Sequence, residues 1–346
     1  MRIAQVLTAS VGGIGRHVAS IAPRMLARGH DVRVFCPAMT AEVQGFVDLG
    51  LEVYPLARLD RARGADVLHA HGYKAGGLAL PVAAVTRTPL VVTWHNAVLG
   101  TDRSTTAARL LQRLVARGAT LTLGASSDLV TEAERLGARS ARLAPVAPPP
   151  VPAADPRDRA ATRAELGVGP DDTLVLTVAR LAPQKNLGLV LDIAAGVRDR
   201  GDLRFAIVGE GPERPALERR IAEDDLAVRL LGHRDGVGPL LAAADVALLT
   251  STWEARALVA QEALLAGLPL ISTRVGGIEE LVGDAAVLVE PGEAAEAARQ
   301  LRRLADDTGE RARLRDAGLR RSATWPDEDA VVGALLAAYA ALMDRT

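Results

Sequence analysis

Two glutamates in "TSTWEARALVAQEALLAGLP", Glu254 and Glu262, stand eight residues apart. The first closes an apolar run that reads as a strand, and the second is set among Ala, Leu and Val of a helical pattern. A carboxylate in apolar surroundings calls for a partner. A bidentate one suits two vicinal hydroxyls such as those of a ribose, while Glu254 would lie beside the first amides of the helix, where the dipole favours an anion. With the helix starting near Arg256, Glu262 falls about two turns inside it. The same pattern also fits a carboxylate on a solvated helix face. In "ARLAPQKNL", Arg180 and Lys185 flank a proline turn after another strand, and Lys185 is one of only two lysines in the chain. A planar fork of donors beside a compact point charge suits a diphosphate; a solvated basic loop is the plainer reading.

The first strand runs into "TASVGGIGRHV", where Gly12, Gly13 and Gly15 open a helix. Such a loop lets backbone N–H groups approach an anion at the helix N-terminus, although a tight strand-to-helix turn explains it equally well. The spacing is not G-x-G-x-x-G, and "VFCP" after the second strand lacks the acidic residue that a nicotinamide ribose needs, which counts against a dehydrogenase. His95 in "VVTWHN" follows a strand and could bond a substrate hydroxyl or a developing charge; a capping or surface histidine is the alternative. His69 and His71 in "LHAHG" are expected on opposite faces of their strand, which would keep them from sharing a metal.

These residues need a scaffold, and apolar runs alternating with helix-patterned segments supply one twice over, the pattern of βαβ units on a parallel sheet. In the first half "IAQVL", "DVRVF", "LEVYP", "DVLHA", "LVVTW" and "ATLTL" read as strands, with helices near 15–28, 74–85, 105–117 and 127–136. "LAPVAPPPVPAADP", with six prolines in fourteen residues, reads as a stiff extended linker. Beyond it "TLVLTVA", "LRFAIVG", "VRLLG", "DVALLT", "PLIST" and "AVLVE" are strands. The expected organisation is an N-terminal domain 1–147, a linker 148–157, a second domain 158–325 and a final helix 326–346. In doubly wound sheets ligands sit beyond the carboxyl ends of the strands, where almost all of the singled-out residues lie.

The 346 residues suffice for two domains, each with its own core. Residues 1–150 carry 17 Lys/Arg against 10 Asp/Glu and residues 151–346 carry 24 against 32, so the halves stand at +7 and −8. The single Cys36 admits no internal disulfide, no zinc-type Cys/His spacing occurs, and the N-terminus reaches Gly12 too soon for a secretory signal. A cytoplasmic protein without metal or other cofactor and without nucleic-acid partners is expected. In the helix near 105–117, Arg109, Arg113 and Arg117 are placed on one side with Leu110, Leu111, Leu114 and Val115 on the other. That face could rest weakly on anionic lipid, or the helix could pack on the sheet with a solvated arginine face.

Taken together, "GGIGRHV", "GHDVRVF", "DVLHAHG", "VVTWHN", "ARLAPQKN", "IVGEGPER", the E-x7-E pattern from Glu254 to Glu262, and "AGLPLISTRVGGIEELV" resemble the retaining glycosyltransferases of family 4. The resemblance implies the GT-B fold, an α/β architecture of two Rossmann-like domains facing across a cleft. The N-domain would take the acceptor and the second domain the nucleotide sugar, with "TWPDEDAVVGALLAAYAALM" as a helix crossing back to the N-domain.

By the same resemblance Gly13, Arg180 and Lys185 would bind the donor diphosphate and Glu262 its ribose, while Gly232 and His233 in "LGHRD" would meet the base. Glu254 would lie by the transferred sugar, with the amides of Arg256, Ala257 and Leu258, and His95 near the reacting carbon or a sugar hydroxyl. A nucleotide-sugar donor, a small-molecule, glycan or lipid acceptor, retention by front-face attack and independence of metal follow as expectations.

Two departures stand out: Ala255 and Arg256 replace a Gly-aromatic pair, and "APVAPPP" replaces Asn-Gly-Val-Asp. An epimerase of similar architecture, or a non-catalytic nucleotide-sugar-binding partner, are the alternatives.

Overall fold

The computed structural model describes residues 1–10, 12–100, 103–148, 156–234 and 236–344. The chain divides into two units, Met1–Ala147 with Pro326–Thr346, and Pro148–Trp325. Most of the proline linker, residues 149–155, lies outside the described residues.

The first unit is a parallel sheet of β1 (Arg2–Leu7), β2 (Asp31–Phe35), β3 (Glu52–Tyr54), β4 (Val67–His71), β5 (Leu90–Trp94), β6 (Leu121–Gly124) and β7 (Ala141–Leu143). Its strand order is β3-β2-β1-β4-β5-β6-β7. The connecting helices are α1 (Gly13–Ala27), α2 (Ala38–Val43), α3 (Tyr73–Thr86), α4 (Arg103–Gly118) and α5 (Ser127–Arg135). Every residue of β4 and β5 is buried, as strands covered by helices on both faces must be. Sequence patterning did not single out α2, the 3₁₀ turns over Leu56–Ala62 or the short edge strand β7. Each is too short to show a period.

The second unit repeats the plan with β8 (Thr173–Val178), β9 (Leu203–Val208), β10 (Val228–Leu230), β11 (Val246–Leu249), β12 (Leu270–Thr273) and β13 (Val287–Val289). Their order is β10-β9-β8-β11-β12-β13, again all parallel. Helices α6 (Pro156–Glu165), α7 (Leu187–Gly196), α8 (Arg214–Glu223), α9 (Gly238–Ala243), α10 (Leu258–Leu265), α11 (Ile278–Val282), α12 (Ala294–Asp306) and α13 (Thr308–Ser322) complete it. Along β8, Val175 joins the core on one face while Leu174 and Leu176 join the core on the other, the period of two that a doubly covered strand needs. Asp245, just before β11, fastens α6 to the sheet by accepting Arg159 Nη2 at 2.6 Å, Arg163 Nη1 at 2.8 Å and Leu174 N–H at 2.8 Å.

The last helix, α14 (Glu328–Met343), belongs to the first unit. Asp327 caps it, accepting from Ala330 N–H at 2.7 Å, and Val331, Val332, Leu335 and Tyr339 enter the core shared with α1. Glu328 pairs with Arg24, and Asp329 accepts from Arg28 Nη2 at 2.7 Å. Among the described residues no helix is long and apolar enough to cross a membrane.

Candidate active site

In each sheet the strand order reverses once, between β1 and β4 and between β8 and β11. Loops leave such a point in opposite directions and open a crevice at the carboxyl ends of the strands. The chemically capable residues gather at these two points.

In the second unit Lys185 ends a 3₁₀ turn (Pro183–Lys185) after β8, and Glu254 follows β11. Thr252 N–H donates to Gln184 O at 2.8 Å, Gln184 Nε2 to Trp253 O at 2.9 Å and Thr250 Oγ1 to Lys185 O at 3.0 Å. Held by these bonds, Lys185 Nζ meets Glu254 Oε1 at 2.5 Å, and Ser251 Oγ donates to the same oxygen at 2.6 Å. The loop after β12 locks the arrangement, since Gly277 N–H donates to Glu254 O at 2.8 Å. Gly276 lies at φ +51°, and a Cβ there would fall 2.0 Å from that carbonyl oxygen, so only glycine fits.

Arg180 is exposed at the end of β8 and makes no ion pair with a described residue, which leaves its guanidinium open to an anion. Glu262 is 8% exposed, so the solvated-face reading is overturned. Helix α10 starts at Leu258 rather than near Arg256, which puts Glu262 little more than one turn inside instead of two. No side chain caps α10, and the N–H groups of Ala257 and Leu258 bond to no described residue. The Arg256 side chain stands over the Trp325 ring with its Cζ 5.7 Å from the centroid, and burial draws its pKa down to about 10. Gly232, at φ +73°, gives its carbonyl to Gly209 N–H at 2.8 Å after β9, and His233 beside it is exposed.

The first unit presents histidines instead of charges. His71 ends β4, His95 follows β5 and His17 lies on α1, all buried. The expectation that His69 and His71 face opposite ways is wrong: residues two apart on a strand share a face, and their rings lie 4.3 Å apart. His69 Nδ1 lies 2.6 Å from Tyr339 Oη of α14 and its Nε2 lies 2.7 Å from Thr93 Oγ1. His71 Nδ1 lies 3.2 Å from His95 Nε2, and His71 Nε2 lies 2.7 Å from Gln5 Oε1. Burial drives the imidazole pKa values down, to about 4 for His17 and about 3 for His69, and well below the usual value for His71 and His95. Four neutral rings result.

Of these only His95 had been singled out as a binding or catalytic group. The period of two in "LHAHG", read correctly, would have brought in His71. Among the described residues no group of three or more His, Cys, Asp or Glu is arranged to hold a metal. Gly13 opens α1 and is exposed, with Gly12 before it making no side-chain cap.

On α4 the arginines and leucines are not segregated as expected. Leu110 is 60% and Leu114 53% exposed, on the same outer side as exposed Arg109, Arg113 and Arg117, while Val115 is buried. At 100° per residue Leu110 adjoins Arg109, and Leu114 adjoins Arg113 and Arg117.

Comparison with known proteins agrees with this plan. Residues 158–321 match the model described as glycosyl transferases group 1, and residues 12–149 match that of a glycosyl transferase 4-like domain. The chain is 30% identical to a D-inositol 3-phosphate glycosyltransferase of Geodermatophilus obscurus, over 96% of this chain and 86% of that one. It is also 30% identical to a 2-deoxystreptamine glucosyltransferase of Streptomyces kanamyceticus, over 88% of this chain and 85% of the relative. The crystal structure of Anabaena HepE in complex with UDP superposes with a TM-score of 0.87 at 23% identity, over 99% of this chain and all of that one. Two Rossmann-like parallel sheets, both family models and relatives matched over most of their length together place this chain in the group 1 glycosyltransferase family, with the fold of the GT-B enzymes.

Proposed function

We propose that the protein is a retaining, metal-independent glycosyltransferase that moves a hexosyl group from a nucleoside-diphosphate sugar to an acceptor hydroxyl. The observation that carries this reading is the meeting of Lys185 and Glu254 at the switch point of the second sheet, on the loop that Arg180 opens without an ion pair to any described residue. A cation already held in place, and a second one free, can take up charge on a departing diphosphate without reorganising at the moment of reaction. The second unit takes the donor: Arg180 and Lys185 on the diphosphate, Glu262 on the ribose hydroxyls, Gly232 and His233 at the base, and Glu254 with the amides of Arg256, Ala257 and Leu258 at the sugar. The first unit takes the acceptor and supplies Gly13 to the diphosphate and His95 to the sugar. HepE structures hold UDP and UDP-glucose, which makes UDP-glucose the first donor to try.

In the step itself the bond from the anomeric carbon to the phosphate oxygen breaks, and its electron pair stays with the diphosphate. The acceptor oxygen bonds to the same face of that carbon, and its proton passes to the departing phosphate oxygen. Configuration is retained, and a nucleoside diphosphate is released. Neutralisation falls to Arg180 and Lys185, so EDTA is expected to leave the rate unchanged. The test is transfer from UDP-glucose and other nucleotide sugars, in EDTA and in Mg²⁺, with the anomer assigned by NMR. An inverted product, or activity lost in EDTA and restored by metal, would overturn it.

A peripheral site on the inner face of the cytoplasmic membrane is the second part of the proposal, favoured by the exposed Leu110 and Leu114 among three arginines on α4. Apolar insertion flanked by basic side chains suits anionic lipid. Co-sedimentation with vesicles containing phosphatidylglycerol is expected to exceed that with neutral vesicles and to fall as salt rises. Equal recovery on both would leave α4 as a solvated helix.

A further inference from the structure

The bonds around His95 fix which of its nitrogens carries hydrogen. Gln5 is fully buried at the centre of β1, and its amide nitrogen points to Met25 Sδ at 3.7 Å. Sulfur in a thioether only accepts, so the amide is oriented with its nitrogen toward Met25 and its oxygen toward His71. That oxygen, 2.7 Å from His71 Nε2, can only accept, so His71 carries its hydrogen on Nε2. A neutral His71 then has a bare lone pair on Nδ1, and the partner of that lone pair is His95 Nε2 at 3.2 Å. His95 must therefore carry hydrogen on Nε2 and leave Nδ1 bare. Burial keeps both rings neutral, which the chain of bonds requires.

His95 Nδ1 bonds to no described residue, and the residue, at the end of β5, keeps 9% of its surface exposed. We propose that Gln5 and His71 are positioning residues that hold His95 as its Nε2–H tautomer, so that His95 Nδ1 accepts a hydrogen bond from a hydroxyl of the bound sugar or acceptor. The direction matters chemically. A ring that accepts through Nδ1 selects a ligand group bearing hydrogen and is repelled by a phosphate or carboxylate oxygen. It cannot donate to developing negative charge from that atom. Within the cluster His69 is occupied by Tyr339 and Thr93, and His17 stands edge-on to His71 and His95 at 5.7 and 5.5 Å without a hydrogen bond to either.

The identity of the hydroxyl rests on the proposed transferase reading; the tautomer does not. Long-range ¹H–¹⁵N NMR of the ligand-free full chain at pH 7.5, with ¹⁵N-histidine and the His95 signal identified through His95→Asn, reads it directly. Nε2 is expected at a protonated shift and Nδ1 at a bare one. Hydrogen on Nδ1, or averaged shifts, would overturn the proposal whatever the enzyme transfers. Gln5→Met conserves volume and removes the acceptor, and should let the His95 signals move toward a mixture. In the transfer assay it should lower kcat about tenfold while nucleoside-diphosphate affinity stays unchanged. A deoxyfluoro donor or acceptor, which accepts but cannot donate at the contacted position, should lose its penalty in His95→Ala. A Gln5→Met protein that folds yet keeps the wild-type His95 shifts would also sink the proposal.

Discussion

The carboxyl ends of the two sheets are built on one plan and furnished with opposite chemistry. At the β1/β4 switch point, the buried histidines are neutral, and His69, His71 and His95 make directional hydrogen bonds, His71 with His95 and Gln5 and His69 with Thr93 and Tyr339. At the β8/β11 switch point, the groups are ionic: Lys185 on Glu254, with Arg180 in no ion pair with a described residue. The bulk charges run the other way, because the half with the neutral switch point carries +7 and the half with the cations −8. Net charge therefore says little about which sheet end gathers the cations. What differs is which few charged side chains the sheet order carries to the reversal point.

The largest expected effect breaks the ionic side. Lys185→Ala should lower transfer about a hundredfold or more, a loss on the order of 3 kcal/mol, because it removes a charge-assisted contact to the diphosphate and strands Glu254. Lys185→Arg should restore only part of it, since the broader guanidinium cannot occupy the ammonium's place against Glu254. Steady-state transfer and nucleoside-diphosphate affinity decide the matter; an arginine variant equal to wild type in both would show that charge alone suffices.

Acid separates the two sides next. Native His17, His69, His71 and His95 have pKa values below the usual 6.5 through burial, so their contribution to stability is complete above pH 6.5. As pH falls from there toward 4 the unfolded chain takes up protons that the native state refuses. Stability is then lost at up to about 1.4 kcal/mol per pH unit for each such histidine. In the second unit, burial pulls the Asp245 carboxyl up, but the Leu174 N–H and the Arg163 and Arg159 guanidinium groups outweigh it and hold it below the usual 3.8. That contribution is complete above 3.8 and fades only below. Hydrogen exchange between pH 7.5 and 5 should show the first unit losing protection before the second. Parallel loss would erase the contrast.

Glu262→Gln tests the ribose assignment with a smaller effect, about a tenfold weaker nucleoside-diphosphate affinity with the melting temperature nearly unchanged. A fall in melting temperature at constant affinity would make Glu262 a purely structural residue. Smallest of all is a gain: Gln261, next to it on α10, is fully buried, and neither its amide oxygen nor its nitrogen has a partner among the described residues. Gln261→Met keeps the volume and removes two unsatisfied polar atoms, so thermal denaturation should rise by the equivalent of about 1 kcal/mol. A lowered midpoint would mean that the amide is satisfied in solution and the position belongs with its ionic neighbours.

By itself the sequence determined the alternation of strand and helix, the proline break and the chemical inventory. Strands such as "LVVTW" and "TLVLTVA" announce themselves because the signal is local and a strand covered on both faces is mostly apolar. Arg180, Lys185, Glu254 and His95 were visible for the same reason, as polar residues directly after such runs.

Tertiary structure alone decided what meets what. Lys185 and Glu254 lie 69 residues apart and touch because β8 and β11 are neighbours. Gln5, His71 and His95 join because β4 inserts between β1 and β5. The final helix delivers Tyr339 to His69 across 270 positions. On α4, Leu110 and Leu114 remain outside because no described element covers that side of the helix, although the sequence marks them as apolar. Strand order and helix docking are settled by the burial of many side chains at once, and no local window of residues contains that sum.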